Sequence, residues 1–221
     1  MVREWSVSVG DDETPAGYEP AHGDETALFV CAHGAGGTMS DREMLATAKA
    51  MRANGFGVVR FNFLPWRGRD PMPKLTRTFA AVVDRVRAEL NPKKLIIGGR
   101  SMGGRAASMM AAEGFDAAGL LLLAYPLHPA GQPGKLRVAH LPQIRMPVLC
   151  FSGTRDPLCT RALMESALAT VNTSWDMRWI EGADHSFHIL KSSGTTDALV
   201  MDGIGKHAGQ WAAQLESPAR T

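Results

Sequence analysis

The segment Gly99-Arg100-Ser101-Met102-Gly103 carries the strongest chemical signal in the sequence. It fits the pattern G-x-S-x-G, with an apolar strand-like run before it and a small-residue helical pattern after it. A strand-to-helix turn this tight holds the serine in strained backbone geometry, and flanking glycines let neighbouring backbone come close. The hydroxyl then stands clear of the sheet while the next helix points its positive end at the reaction centre. A serine hydroxyl is a poor nucleophile until a base takes its proton. Among seven histidines, His185 is the best placed, in the loop Glu181-Gly182-Ala183-Asp184-His185 behind a late strand. The base in turn needs a carboxylate to fix its tautomer. Asp156, which follows another strand through Gly153-Thr154-Arg155, suits that role, with Asp184 a weaker candidate because it adjoins His185. The order Ser101, Asp156, His185 is one of the three familiar serine-hydrolase orders. Two backbone N–H donors should face the charge developing on a substrate carbonyl. Met102 supplies one; the other is assigned to Ala35, with Gly36 as alternate, in His33-Gly34-Ala35-Gly36-Gly37.

These residues need a scaffold that brings four distant loops together. Short apolar runs at residues 27–32, 57–63, 95–98, 120–124, 148–152 and 175–180 read as strands. Between them lie helical patterns. One is capped by Ser40 with Glu43 three residues on, and ends at Asn54-Gly55. A second carries Phe79, Val82, Val83, Val86 and Leu90 on one face. Others cover 104–113, 161–171 and 198–215, the last with Val200, Ile204, Ala208, Trp211 and Leu215 in a stripe. Residues 64–75, with three prolines, and 126–146 read as loops. Repeated strand–helix–strand order with nearly all-apolar strands means a parallel sheet covered on both faces, hence an α/β fold. Residues 2–9 alternate and suit an edge strand.

Bulk properties narrow the function. The 221 residues suit one domain spanning 1–221, with 45% apolar and 21% charged residues. Net charge is +2, from 24 basic and 22 acidic residues that are scattered rather than clustered, so neither nucleic acid nor an anionic membrane is an expected partner. No run approaches the roughly 20 apolar residues of a membrane span, and residues 1–10 lack a signal-peptide core. Three cysteines, Cys31, Cys150 and Cys159, cannot pair completely and suggest a reducing compartment, most simply the cytoplasm. The glycine loop at 33–37 lacks both the G-K-[ST] ending and the G-x-G-x-x-G spacing of nucleotide sites. With no H-E-x-x-H and no paired cysteines, no metal and no cofactor is expected.

The sequence resembles the α/β-hydrolase superfamily over nearly its whole length, and within it a small group without a lid domain. The resemblance rests on His33-Gly34-Ala35-Gly36-Gly37, Arg67-Gly68, Gly98 to Arg105, Tyr125-Pro126-Leu127-His128-Pro129, Gly153-Thr154-Arg155-Asp156 and Gly182-Ala183-Asp184-His185. It implies a mostly parallel sheet of about eight strands flanked by helices. Relatives in that group include uncharacterised bacterial hydrolases, some with dienelactone-hydrolase labels, and a domain of a eukaryotic chromatin-modifying complex thought to serve in assembly. Ser101 stands where the dienelactone hydrolases have cysteine, so their substrate does not carry over. The segment 126–146, where larger members insert a lid, is too short for one and implies an open pocket. The expected function is therefore a carboxylesterase-like serine hydrolase acting on a small-molecule ester or acyl substrate. The alternative is a catalytically silent fold used for binding or assembly; acyl transfer, peroxide chemistry or C–C cleavage would use the same triad. His128, Arg100 and Trp66 are secondary pocket candidates.

Overall fold

The computed structural model describes residues 3–66 and 71–216. Arg67-Gly68, one of the segments carrying the family resemblance, lies outside the described residues. The chain runs β1 (Arg3–Val9), β2 (Asp12–Glu19), β3 (Ala27–Ala32), α1 (Arg42–Arg52), β4 (Phe56–Phe61), α2 (Met72–Leu90), β5 (Leu95–Arg100), α3 (Met102–Ala112), β6 (Gly119–Leu123), β7 (Val148–Gly153), α4 (Arg161–Leu168), β8 (Trp175–Ile180) and α5 (Asp197–Gln214). The eight strands form one sheet in the order β1-β2-β4-β3-β5-β6-β7-β8. β1 and β2 form an antiparallel hairpin, β2 meets β4 antiparallel, and every pairing from β4 to β8 is parallel.

The period-2 geometry of a strand explains why β3 to β7 read as unbroken apolar runs: both faces of the sheet are covered. Along β3, Leu28, Val30 and Ala32 enter one core with Phe79 and Val83 of α2, Ala106 and Met110 of α3 and Met164 of α4. Phe29 and Cys31 enter the other, with Met44, Ala48 and Met51 of α1 and Ile204, Ala208 and Trp211 of α5. β6 divides the same way, Leu120 and Leu122 to the first side, Leu121 and Leu123 to the second. All three cysteines are free and buried. No helix among the described residues is long and apolar enough to cross a membrane.

Several local expectations are corrected. β2 has no counterpart in the sequence reading, because Asp12, Glu13, Pro15 and Gly17 give it the composition of a loop. It forms because the turn at Gly10 (φ 66°) folds it onto β1, and its ladder to β4 begins only at Ala16, beyond Pro15. Asp41, not Ser40, stands at the N-cap of α1; its carboxylate accepts from the Thr38 N–H at 2.8 Å and the Thr38 hydroxyl at 2.7 Å. α2 starts inside the segment read as a proline loop. Pro71 and Pro73 occupy its N-cap and first turn, where a missing N–H costs nothing. The segment 126–146 is a loop with one 3₁₀ turn, Leu141–Gln143.

Candidate active site

Four loops meet at the carboxyl ends of the central strands, beside the point where chain order reverses between β3 and β5; such crevices are where α/β sheets hold their ligands. β5 runs to Arg100, Ser101 alone makes the turn, and α3 begins at Met102, two residues earlier than the glycines of the sequence suggest. Ser101 has φ 48° and ψ −116°, a costly conformation for a residue with a side chain. Its N–H bonds to Leu123 O at 2.9 Å, and its carbonyl accepts from the Arg105 N–H at 2.9 Å, so both neighbouring elements hold the turn. A Cβ at Gly103 would come within 2.6 Å of the carbonyl oxygens of Ala32 and His33, and one at Gly99 within 2.2 Å of Ala32 O. These glycines let the turn at Ser101 lie directly against the end of β3, which is why poor helix formers open α3.

The Ser101 hydroxyl lies 2.9 Å from His185 Nε2, and His185 Nδ1 lies 2.8 Å from Asp156 Oδ2. The Asp156 side chain is fully buried while the imidazole is about a quarter exposed. The other carboxylate oxygen accepts from the Leu158 N–H at 2.8 Å, and the Ser152 hydroxyl lies 3.5 Å from Oδ2. With an acid that only accepts, Nδ1 carries the ring proton and Nε2 faces the serine as acceptor. The loops bearing Asp156 and His185 are tied together by the Arg155 N–H bond to Ala183 O at 2.9 Å. Asp184 does not share in this arrangement: its Oδ1 accepts from the backbone N–H groups of Ser186 and His188, both at 2.9 Å, and so shapes the turn that presents His185.

The loop after β3 is fixed by His33. This ring is almost fully buried; its Nε2 accepts from the Phe63 N–H at 3.0 Å and its Nδ1 donates to Gly34 O at 2.7 Å. The bond from Phe63 needs an unprotonated Nε2, and burial pushes the ring's pKa down against the opposing bond to Gly34 O, so the charged form is disfavoured. Next, Gly34 carries the chain past Ser101; a Cβ there would sit 3.5 Å from the serine Cβ. The tight turn that follows closes through the Gly37 N–H bond to Gly34 O, with Ala35 and Gly36 (φ 70°) at its centre. Met102, the first residue of α3, has a backbone N–H with no acceptor inside the helix. Gly34 thus abuts the serine from the β3 side, with Ala35 the next residue along, and Met102 adjoins it from the α3 side.

The secondary candidates separate. His128 is buried, with Nδ1 3.0 Å from Pro129 O and Nε2 2.9 Å from the Thr160 hydroxyl; it anchors the loop after β6 to the start of α4 and, among the described residues, hydrogen-bonds to none of the three triad candidates. Trp66 is partly exposed at the last described position before residue 67. Arg100 points behind the histidine loop, an Nη lying 3.5 Å from His185 O. A second serine–histidine contact was not foreseen: Ser108 Oγ lies 2.8 Å from His140 Nε2. Ser108 is fully buried and its hydroxyl also donates to Arg105 O, and no carboxylate among the described residues bonds to His140, so this pair braces α3 against the 3₁₀ turn. Burial, reinforced by the charge of Arg105, holds the His140 pKa down at about 4.

Comparisons with known proteins agree with this architecture. The family described as "Alpha/beta hydrolase domain" matches residues 25–213. A serine hydrolase without lid from Xanthomonas campestris superposes with a TM-score of 0.77 at 20% identity, covering 100% of this chain and 97% of that one. A dienelactone hydrolase from Anabaena variabilis gives 0.74 at 21% identity, covering 96% of each chain. An alpha-beta serine hydrolase homologue from Coxiella burnetii gives 0.75 at 18% identity, covering 93% of this chain and 96% of that one. At such identities the likeness speaks to the fold.

Proposed function

Since this chain belongs to the alpha/beta hydrolase domain family, we propose that it is a serine hydrolase cleaving an ester or related acyl bond, with Ser101 as nucleophile, His185 as base and Asp156 as acid. The observation that carries the reading is the unbroken hydrogen-bond path from the Ser101 hydroxyl through both His185 nitrogens to a fully buried carboxylate. Structural neighbours named as serine hydrolases agree with it.

In this mechanism the Ser101 oxygen attacks the substrate carbonyl carbon as His185 Nε2 takes the hydroxyl proton. The new positive charge on the ring is balanced by Asp156 through Nδ1–H. The carbonyl oxygen becomes an oxyanion facing the backbone N–H groups of Met102 and Ala35, which are held in place before the reaction begins. Collapse expels the alcohol, which leaves with the proton from Nε2, and an acyl-Ser101 ester remains. Water then attacks that ester with His185 again as base, releasing the acid and restoring the hydroxyl.

The short loop after β6 leaves the serine open to solvent-facing substrates, which favours small or exposed acyl groups. A panel of p-nitrophenyl esters of rising chain length tests this. Turnover of the acetate or butyrate, absent in Ser101→Ala, is the expected result. A folded wild-type protein that cleaves no ester would instead favour a binding or assembly role.

A further inference from the structure

A cavity whose lining does not include Ser101 lies between α1, α5 and the turn at 186–188. It has a volume of about 550 Å³, within the range of small-molecule sites. Its walls are largely apolar, formed by Ala46 and Ala50 of α1, Ala53 at that helix's C-cap, Ala198 and Met201 of α5, and Phe187. Arg100 also lines it, and this residue is only 6% exposed.

The surroundings of that guanidinium are unusual. Its one hydrogen bond among the described residues is the long contact to His185 O at 3.5 Å, and its Cζ lies 5.1 Å from the Phe187 ring centre. No carboxylate among the described residues comes within ion-pair distance. A guanidinium has five N–H donors in a planar fork, and none of those of Arg100 is sealed away without a partner, so the ones His185 does not use keep solvent contact. Burial pulls the Arg100 pKa down, and Glu43, Cys31, Asp184 and Asp156 act against that pull from beyond ion-pair distance, Glu43 the most. The cavity rim carries both signs, Arg42 and Lys49 against Glu43, Asp197 and Asp202. It therefore exerts no general pull on anions; the cationic donors that face the cavity from its buried end belong to Arg100.

We propose that this cavity is a ligand site for an organic carboxylate with an apolar body, the carboxylate meeting the Arg100 fork and the body lying along the alanines of α1 and Met201. A planar carboxylate matches the guanidinium in a two-point geometry that a water or an alcohol cannot reproduce. Because Arg100 also touches the His185 carbonyl, an occupant would sit directly behind the loop that presents the histidine. The site stands on its own geometry and needs no activity from Ser101.

Calorimetric titration of octanoate against octanamide tests the assignment. The two probes share an apolar chain and differ in charge. Wild-type protein should bind octanoate at least about tenfold more tightly, the discrimination expected of a charge-assisted bidentate contact. Ala46→Phe, which fills the cavity from a partly exposed helix position, should remove octanoate binding, and Arg100→Gln should remove the preference for the acid. The same titrations in Ser101→Ala should match wild type, which separates this site from product binding at the serine. Equal affinity for the two probes in wild type, no binding of octanoate, or full binding in folded Ala46→Phe would each overturn the proposal. The wild-type comparison decides even where a variant fails to fold, and none of these outcomes depends on hydrolase activity.

Discussion

Replacing Asp156 by asparagine changes one oxygen for an NH₂ group inside a fully buried site, and the structure dictates how the amide must sit. Oδ1 accepts from the Leu158 N–H at 2.8 Å, and Oδ2 faces His185 Nδ1 at 2.8 Å. Both neighbours are donors in the working state, and an amide has only one acceptor oxygen. Keeping the oxygen on Leu158 turns the NH₂ toward Nδ1, which must then give up its proton. The proton moves to Nε2, and the ring can no longer accept from Ser101. The reverse orientation preserves the tautomer but sets the NH₂ against the Leu158 N–H, at a cost of about 1–3 kcal/mol. A neutral amide also stabilises the imidazolium less than a carboxylate, by about 1–1.5 kcal/mol when a charge-assisted bond becomes an ordinary one. The combined penalty of about 2–4.5 kcal/mol corresponds to a kcat loss of roughly 30- to 1,600-fold. Steady-state hydrolysis of p-nitrophenyl acetate reads this out, with KM expected to change little because the acid does not touch substrate. A folded Asp156→Asn enzyme with kcat within about threefold of wild type would refute the assignment of Asp156 and the tautomer argument with it.

Gly103→Ala should destabilise the protein by at least about 2 kcal/mol, measured as a lowered urea midpoint, because the new methyl would meet two backbone carbonyls at 2.6 Å. Ser108→Ala should leave ester turnover within about twofold of wild type, which a kinetic comparison checks; a collapse in kcat with the fold intact would mean that the Ser108–His140 pair takes part in the chemistry. The His140 pKa, held down at about 4 against an ordinary 6.5, makes the unfolded chain the better proton binder between those values. Stability should therefore be full above pH 6.5 and fall as the pH drops from about 6.5 to about 4. Denaturant midpoints across that range should decline less steeply in His140→Gln.

Much of this was legible in the residues. The alternate burial of β3, β6 and β7 on two faces is why their runs are unbroken and why a parallel covered sheet could be inferred. Ser101, Asp156 and His185, at distant positions, lie along one hydrogen-bond path because each sits in the loop or turn that follows the carboxyl end of a strand of that sheet. What escaped has a physical cause in each case. β2 is held by its two neighbours and not by its own propensity, so Pro15 and Gly17 hid it. The prolines of α2 carried a loop signal that is also a helix-start signal. The start of α3 was misplaced because Gly103 and Gly104 answer to packing against other backbone, which no local pattern records. The roles of His33 and Arg100 depend on where a folded loop passes, and only Arg100's place one residue before Ser101 on an apolar strand hinted that it is buried behind the site.

The central claim, that the Ser101 hydroxyl is activated by His185, is tested most directly by intact-protein mass spectrometry after exposure to a fluorophosphonate. Wild-type protein should gain the mass of one phosphonyl group, peptide mapping should place it on Ser101, and labelling should disappear in Ser101→Ala and slow by orders of magnitude in His185→Ala. Wild-type protein that stays unlabelled while folded, or a label carried by another residue and retained in Ser101→Ala, would contradict the account.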